Sequence, residues 1–501
     1  MAPVTHAQQH TRSTEGWEEA EAALLRREGV ARAAVVTRAD GAAGERRLVA
    51  YVVPEVPDAD VSRHVGMWRA VYDEMYRDTA PGAAGITDDF TGWNSSYTRE
   101  PIPLPQMRAW RAAAVARVRG LEPRRVLEIG VGSGLLLGPL AGRTEEYWGT
   151  DFSEAVIARL GAQVATDPRL ADRVTLRCQA ADSEEGLPAG HFDTVVLNSV
   201  VQYFPDAAYL SRVLDGALRR LSPGGRVLVG DVRNHGTAEE FLTAVHHAQR
   251  PGDEPPAVRA AVARARRRET ELHLDPGFFT EWAAARPGVV AVDIRLKSGA
   301  AANELTRHRY EVVLHKGPAR PVSLAELPTV TWGRDVHQLS ALAAGLTRYR
   351  GGLRLTRVPN ARLVTEAAEC GVPGTVRQTP LDPHALQSWG TEHGRRVLCT
   401  WSAEAPGWFE AAIVPDDGTR CYDGLYRPGD TRSTPLANVP AGSRRASKLP
   451  ALLRRELAAE LPGHLVPDDV VLLARMPLTP GGEIDRPALP APGRADGRTP
   501  G

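Results

Sequence analysis

Six positions between residues 128 and 182 have the types and spacing of a cofactor site. Glu128, Gly130, Gly132 and Gly134 stand in the stretch V-L-E-I-G-V-G-S-G-L-L-L, and Asp151 and Asp182 each end a later apolar run. Glycines in such a turn let the backbone take unusual conformations and approach a ligand closely. A dinucleotide fingerprint would place its third glycine at position 135, which is Leu135, and a P-loop would need a Lys-Ser/Thr pair that this turn lacks. The pattern is instead E-x-G-x-G-x-G. It suits S-adenosylmethionine, whose tail carries an ammonium and a carboxylate but no phosphate. Glu128 is expected to balance positive charge, Asp151 to accept both ribose hydroxyls, and Asp182 to take the adenine amino group. Phe152, beside Asp151, is assigned to the same site.

Such residues act together only at the carboxyl ends of parallel strands. From Leu104 onward the sequence alternates helix and strand patterns, among them R-R-V-L-E-I-G-V-G, E-Y-W-G-T-D-F-S, R-V-T-L-R-C-Q, F-D-T-V-V-L-N and G-G-R-V-L-V-G-D-V-R-N. The alternation predicts an α/β, doubly wound, Rossmann-like sheet of the class I methyltransferase type. A long helical stretch is expected from about Ala238 to Arg286, then an antiparallel strand pair, V-V-A-V-D-I-R-L-K and R-H-R-Y-E-V-V-L-H-K. Residues 319–440 read as a small appended α/β lobe. Near the start, residues 17–28 read as a helix followed by two strands, and R-A-S-K-L-P-A-L-L-R-R-E-L-A-A-E-L reads as a helix near the end.

The 501 residues exceed one ordinary core, and 61 basic residues cancel 61 acidic ones. No global field therefore favours nucleic acid or an anionic membrane. The arginine cluster A-R-A-R-R-R-E reads as a solvated helix face, with an acidic carrier protein as a conceivable partner. The four cysteines lack metal-binding spacing, and no metal is expected. Without a long apolar run or signal-peptide pattern, the expected location is cytoplasmic.

Several segments carry a family resemblance. D-D-F-T-G-W-N-S-S-Y-T-R-E-P-I-P-L-P-Q-M, G-H-F-D-T-V-V-L-N-S-V-V-Q-Y-F-P, G-D-V-R-N and A-N-E-L-T-R-H-R-Y-E-V-V-L-H-K resemble N-methyltransferase domains of nonribosomal peptide synthetases. Residues 17–53 and 450–491 resemble the two pieces of an adenylation domain's small C-terminal subdomain, which such a methyltransferase often interrupts. The resemblance implies residues 1–58 and 441–492 as that discontinuous subdomain, 59–318 as the methyltransferase, 319–440 as its appended lobe and 493–501 as a disordered tail. The large adenylation subdomain is missing, and Glu483 stands where the family has an adenylate-contacting lysine. Adenylation is therefore not expected, since a carboxylate there repels a phosphate.

The resemblance also proposes the acceptor side. Glu304 would anchor the amine or take its proton, with a surface salt bridge to Arg307 or Arg309 as its ordinary alternative. Asn198 and Tyr203 would face the reacting methyl, and Trp93 and Tyr97 would form a lid over the cofactor. Arg233, Asn234 and Arg309 are assigned to the substrate. His308 reads as a surface residue of a strand pair. The implied activity is S-adenosylmethionine-dependent N-methylation of the α-amine of an aminoacyl or peptidyl thioester. The substrate would be held by a phosphopantetheinylated carrier protein acting in trans, within other synthetase components. A tailoring methyltransferase on a free amino acid, released peptide or side-chain oxygen is the first alternative. A non-catalytic docking scaffold is the second.

Overall fold

The computed structural model describes residues 17–27, 29–40, 45–54, 58–77, 86, 88–369, 378–418, 421–429, 435–440, 444–473, 476–479 and 482–489. The chain divides into two compact units, Gly66–Gly429 and a second in which Met1–Val65 joins Asp430–Gly501.

The first unit is built on seven strands: β1 (Arg125–Ile129), β2 (Glu146–Asp151), β3 (Val174–Cys178), β4 (Phe192–Asn198), β5 (Leu221–Arg233), β6 (Val289–Leu296) and β7 (Arg309–Lys316). Their order across the sheet is β3-β2-β1-β4-β5-β7-β6. β1 to β5 run parallel, and β7 is inserted antiparallel between β5 and β6. β1 forms because Val126, Leu127 and Ile129 are buried on both faces, as a central parallel strand requires. Side chains cap the helices Glu154–Thr166 and Ala207–Arg220. Ser153 Oγ accepts from the Val156 N–H at 3.3 Å, and Asp206 Oδ1 accepts from the Tyr209 N–H at 2.7 Å. Strand order reverses between β1 and β4, so the glycine turn after β1 lies at the switch point where open α/β sheets bind ligands.

The long helix expected over residues 238–286 is three: Ala238–Gln249, Pro255–Arg268 and Gly277–Ala284. Pro251 and Gly252, whose φ is 101°, break the first join. At the second, the Leu272 N–H donates to the Gln202 carbonyl at 2.7 Å and the Leu274 N–H to the Arg233 carbonyl at 2.9 Å. Tertiary hydrogen bonds thus hold this segment extended against the end of β5. The helix that follows the glycine turn is short, Leu137–Ala141.

The lobe beyond β7 has a four-stranded sheet of Thr329–Thr331, Leu353–Pro359, Trp408–Pro415 and Arg395–Trp401, in that spatial order. The helix Ala361–Glu369 follows its second strand and carries one side of the lobe onto the methyltransferase sheet. There Arg362 Nη1 donates to the Lys297 carbonyl at 3.0 Å and Nη2 to the Gly299 carbonyl at 2.8 Å.

In the second unit, Val30–Asp40 and Glu45–Pro54 pair antiparallel, and Asp469–Leu472 pairs parallel with the latter. The helix over residues 17–25 and the helix Arg444–Glu460 pack on this sheet through Ala20, Leu24, Leu453 and Leu457, all fully buried. The two ends of the chain therefore share one core. Residues 493–501 lie outside the described residues, and among the described residues no helix is long and apolar enough to cross a membrane.

Candidate active site

The three glycines of the turn do different work. All have positive φ: 79° at Gly130, 50° at Gly132 and 84° at Gly134. A Cβ on Gly130 would collide with Val200, and one on Gly134 would lie 2.8 Å from both Ile86 Cγ2 and Leu160 Cδ1. At Gly132 the nearest heavy atom would be the Tyr76 hydroxyl at 3.9 Å, so this glycine leaves open space over the turn. Gly130→Ala should cost about 1–3 kcal/mol by overpacking besides about 1–2 kcal/mol for left-handed backbone. Gly132→Ala should carry only that backbone cost, about 1–2 kcal/mol, yet weaken the ligand that fills the space. Denaturant melts paired with ligand titrations separate the two; equal stability losses would refute the assignment of the open face.

Asp151 closes the turn from the end of β2. Its Oδ2 accepts from the Gly132 N–H and its Oδ1 from the Ser153 N–H, both at 3.0 Å. Each oxygen keeps a further lone pair for a ligand hydroxyl. Burial raises the Asp151 carboxyl, and these backbone donors act against the rise. Glu128 differs from expectation. It is 3% exposed, its Oε2 accepts from the Tyr147 hydroxyl at 2.7 Å, and burial pushes its carboxyl up to about 8. Burial thus opposes its charge, and its partner within the protein is the Tyr147 hydroxyl. Asp182 Oδ1 accepts from the Tyr209 hydroxyl at 2.8 Å, beyond the end of β3.

An aromatic face that the sequence reading missed covers this turn. Trp68, Tyr72 and Tyr76, at i, i+4 and i+8 of the helix Asp58–Arg77, form one stripe. Tyr72 packs edge-on to Phe152 at 6.1 Å and to Tyr203 at 5.3 Å, and Trp68 lies 4.6 Å from Tyr203. Asp73, on the same helix, accepts from the Ser153 hydroxyl. Tyr203 thus joins the wall beside the cofactor turn. Trp93 does not form a free lid: it packs 4.5 Å from Trp110 in a cluster with Ile102 and Met107.

The segment from residue 88 leads from this turn to a second cavity. The Asp89 carbonyl accepts from Ser133 Oγ at 2.9 Å. A few residues on, the Ser96 N–H and hydroxyl both donate to Glu304, to Oε2 at 2.8 Å and Oε1 at 2.9 Å. Glu304 is 5% exposed and lines the cavity with Phe241, His308, Arg233 and Arg309. Its carboxylate is therefore held by Ser96.

Several other expectations change here. Tyr97 follows Ser96, with its hydroxyl donating to Glu366 and its ring 5.9 Å from Phe241, so it packs behind the lining of this cavity. His308 is buried instead of exposed, because the short helix Glu304–Arg307 turns it inward. Its Nε2 meets Glu366 Oε2 at 2.8 Å and its Nδ1 meets Thr237 Oγ1 at 3.2 Å. Arg233 lines the cavity but is engaged by Glu271 at 2.9 Å and stacks over Phe241 at 5.3 Å. The Asn234 side chain is committed to the Gly236 N–H at 2.9 Å. Arg309 turns to Asp231 at 3.4 Å. Asn198 ends β4 with its Nδ2 3.2 Å from Ser199 Oγ, and Ser199 Oγ in turn donates to Asp231 Oδ2 at 2.8 Å.

Sheet order and glycine turn agree with the comparison of families, in which residues 127–227 match a methyltransferase domain. The chain carries a methyltransferase domain. The probable non-canonical nonribosomal peptide synthetase CymA of Salinispora arenicola is 44% identical over 95% of this chain, which covers 6% of that protein. Chondramide synthase of Chondromyces crocatus is 36% identical over 95% of the chain and 13% of its own length. The beauvericin nonribosomal cyclodepsipeptide synthetase of Gibberella fujikuroi is 29% identical over 94% and 16%. The chain thus spans a small fraction of the relatives it matches, and the similarity runs through both of its units.

The methyltransferase's donor set fits S-adenosylmethionine. Gly132 presents open space, Asp151 holds spare acceptor capacity beside it, and Phe152 with Tyr72 supplies apolar surface. When bound, that cofactor supplies an electrophilic methyl group.

Behind the methyltransferase's site is a buried charge cluster that the sequence reading did not single out. Asp231 is fully buried at a φ of 62°, 2.9 Å from Lys297 Nζ, and its Oδ2 accepts from the Trp110 indole N–H at 2.9 Å. Burial pushes the Asp231 carboxyl up, but Lys297 and Arg309 outweigh it and hold it below the ordinary carboxylate range. Its stabilising contribution is thus fully present above the unfolded-state value near about 4 and is lost as pH falls through the lower folded value. Asp231→Asn keeps a residue type that tolerates positive φ but removes the close anion from Lys297, leaving it only Glu311 at 3.6 Å, and should cost about 3–5 kcal/mol. Urea melts at pH 7 test this; a loss under about 1 kcal/mol would be that of an exposed pair.

Proposed function

We propose that this chain is an N-methyltransferase of nonribosomal peptide assembly. Its acceptor would be the α-amine of an aminoacyl or peptidyl thioester on a carrier protein. The observation that carries the reading is Glu304: a carboxylate lining a cavity and held by both donors of Ser96, on the same short segment whose Asp89 carbonyl bonds Ser133 of the cofactor turn. A carboxylate suits an ammonium acceptor, which it binds as the cation and then relieves of its proton so that the nitrogen lone pair is free. An amine needs only modest help, since an α-amino group titrates near about 8. Positioning supplies most of the remaining acceleration, with effective molarities worth roughly 7–11 kcal/mol. The similarity to synthetases over both units supports assembly-line placement. Glu483, exposed in the second unit, supports a subdomain that no longer adenylates.

The test is intact-mass analysis of aminoacyl-loaded carrier proteins incubated with the full chain and S-adenosylmethionine, with the matching free amino acids alongside. A gain of methyl on the tethered amine alone is expected. Methylation of the free amino acid alone would make the chain a tailoring enzyme, and no transfer to any acceptor would favour a scaffold.

A further inference from the structure

The lobe beyond β7 lies outside the seven-stranded sheet, and methyl transfer from the glycine turn does not call for it. Its helix Ala361–Glu369 nevertheless sends two buried charged side chains, one turn apart on the same face, into the methyltransferase. Arg362 is the anchor. It donates to the carbonyls of Lys297 and Gly299, and to that of Thr306 at 3.3 Å, while its Nε meets Asp382 at 2.9 Å. Those carbonyls belong to the stretch that ends in Glu304 and His308, so Arg362 grips the strand-to-strand connection that carries the acceptor carboxylate.

Glu366 follows four residues later and divides its carboxylate between His308, which lines the cavity, and Tyr97, which packs on the lining residue Phe241; Arg307 Nη1 lies 3.6 Å from one of its oxygens. One oxygen accepts from the Tyr97 hydroxyl; the other pairs with His308 Nε2 at 2.8 Å. The His308 ring is also fixed at Nδ1 by Thr237, at 3.2 Å, and lies 5.0 Å from Phe241. Both ring nitrogens are thus engaged, which holds His308 in place as a wall of the cavity. Tyr97 adjoins Ser96, whose two donors orient Glu304. One lobe carboxylate therefore ties down both the segment that holds Glu304 and the imidazole opposite it. Burial makes that carboxylate harder to ionise, but His308, Tyr97 and Arg307 together outweigh burial and hold it below the ordinary carboxylate range, so it is anionic as it accepts both bonds.

We infer that the appended lobe completes the acceptor pocket, with Glu366 as a positioning residue that acts through Tyr97 and His308 on the amine held at Glu304. This rests on the reading of the cavity as the acceptor site. Glu366 touches neither cofactor nor amine; it sets where the walls stand, and a displacement of about 1 Å in such a site costs about 10²-fold in rate.

The experiment uses the full chain and the aminoacyl carrier protein that the wild type methylates. Glu366→Ala should lower kcat/KM for that acceptor by about 10²-fold while leaving the calorimetric affinity for S-adenosylmethionine within about twofold, a shift under ~0.5 kcal/mol. Tyr97→Phe removes one hydroxyl and guards against a merely misfolded Glu366 variant; it should show part of the same selective loss. Added to Glu366→Ala it should cost nothing more, because both changes break one contact. Glu366→Gln keeps an acceptor for Tyr97 but loses the negative charge that faces His308 and Arg307, and should fall between wild type and Glu366→Ala. Cofactor affinity and acceptor kinetics declining together, or unaltered acceptor kinetics in Glu366→Ala and Tyr97→Phe, would overturn the inference. A wild type that methylates no acceptor would overturn the reading beneath it, a separate and visible failure.

Discussion

Asp151→Ala should weaken S-adenosylmethionine binding by about 10²- to 10⁴-fold. Each ribose hydroxyl donating to a carboxylate contributes about 1.5–3 kcal/mol, and about 1.4 kcal/mol corresponds to a factor of ten. The substitution also frees the N–H groups of Gly132 and Ser153, each 3.0 Å from the carboxylate, so the turn loses its internal brace as well as a ligand partner. Asp151→Asn separates these effects. Its carbonyl oxygen replaces one acceptor, while its amide cannot accept from the other N–H, so affinity should fall by less than in the alanine variant. Calorimetric titration gives both numbers. An unchanged dissociation constant in Asp151→Ala would remove Asp151 from the cofactor site.

Glu304→Gln should lower turnover by about 10²- to 10⁴-fold, the usual worth of a positioned proton acceptor, with cofactor affinity nearly unchanged. A glutamine oxygen still accepts one donor from Ser96, so the side chain keeps its place, but it neither attracts an ammonium nor removes its proton. Single-turnover transfer monitored by mass isolates the chemical step from product release. Loss of cofactor binding would move Glu304 to the other site. Full turnover would leave the amine to lose its proton to water, and Glu304 without a role in proton transfer.

The two sites were unequally legible in the sequence. The glycine turn could be read because its signal is local: Glu128 to Gly134 lie within one strand-turn unit, and Asp151 ends the neighbouring strand. The aromatic stripe of Trp68, Tyr72 and Tyr76 was equally local and could have been found from its spacing of four. Glu304 could be singled out from its segment, but its partner Ser96 lies 208 positions away. Nothing in composition or periodicity distinguishes that partner from Arg307 or Arg309 nearby. Arg309 instead turns to Asp231, a buried anion at close range, where a charge is weakly screened and a pair is strongest.

Sequence by itself determined the strand and helix alternation, the cofactor turn and its chemistry, because hydrophobic period and glycine conformation act over a few residues. Tertiary structure decided which charges meet. Glu128 became a buried carboxyl beside Tyr147, His308 was turned inward, and Glu366 reached Tyr97 from 269 positions away. The physical reason is that burial and pairing depend on distance in space: a carboxylate's charge state and its partner exist only once packing has excluded water and brought distant segments into contact.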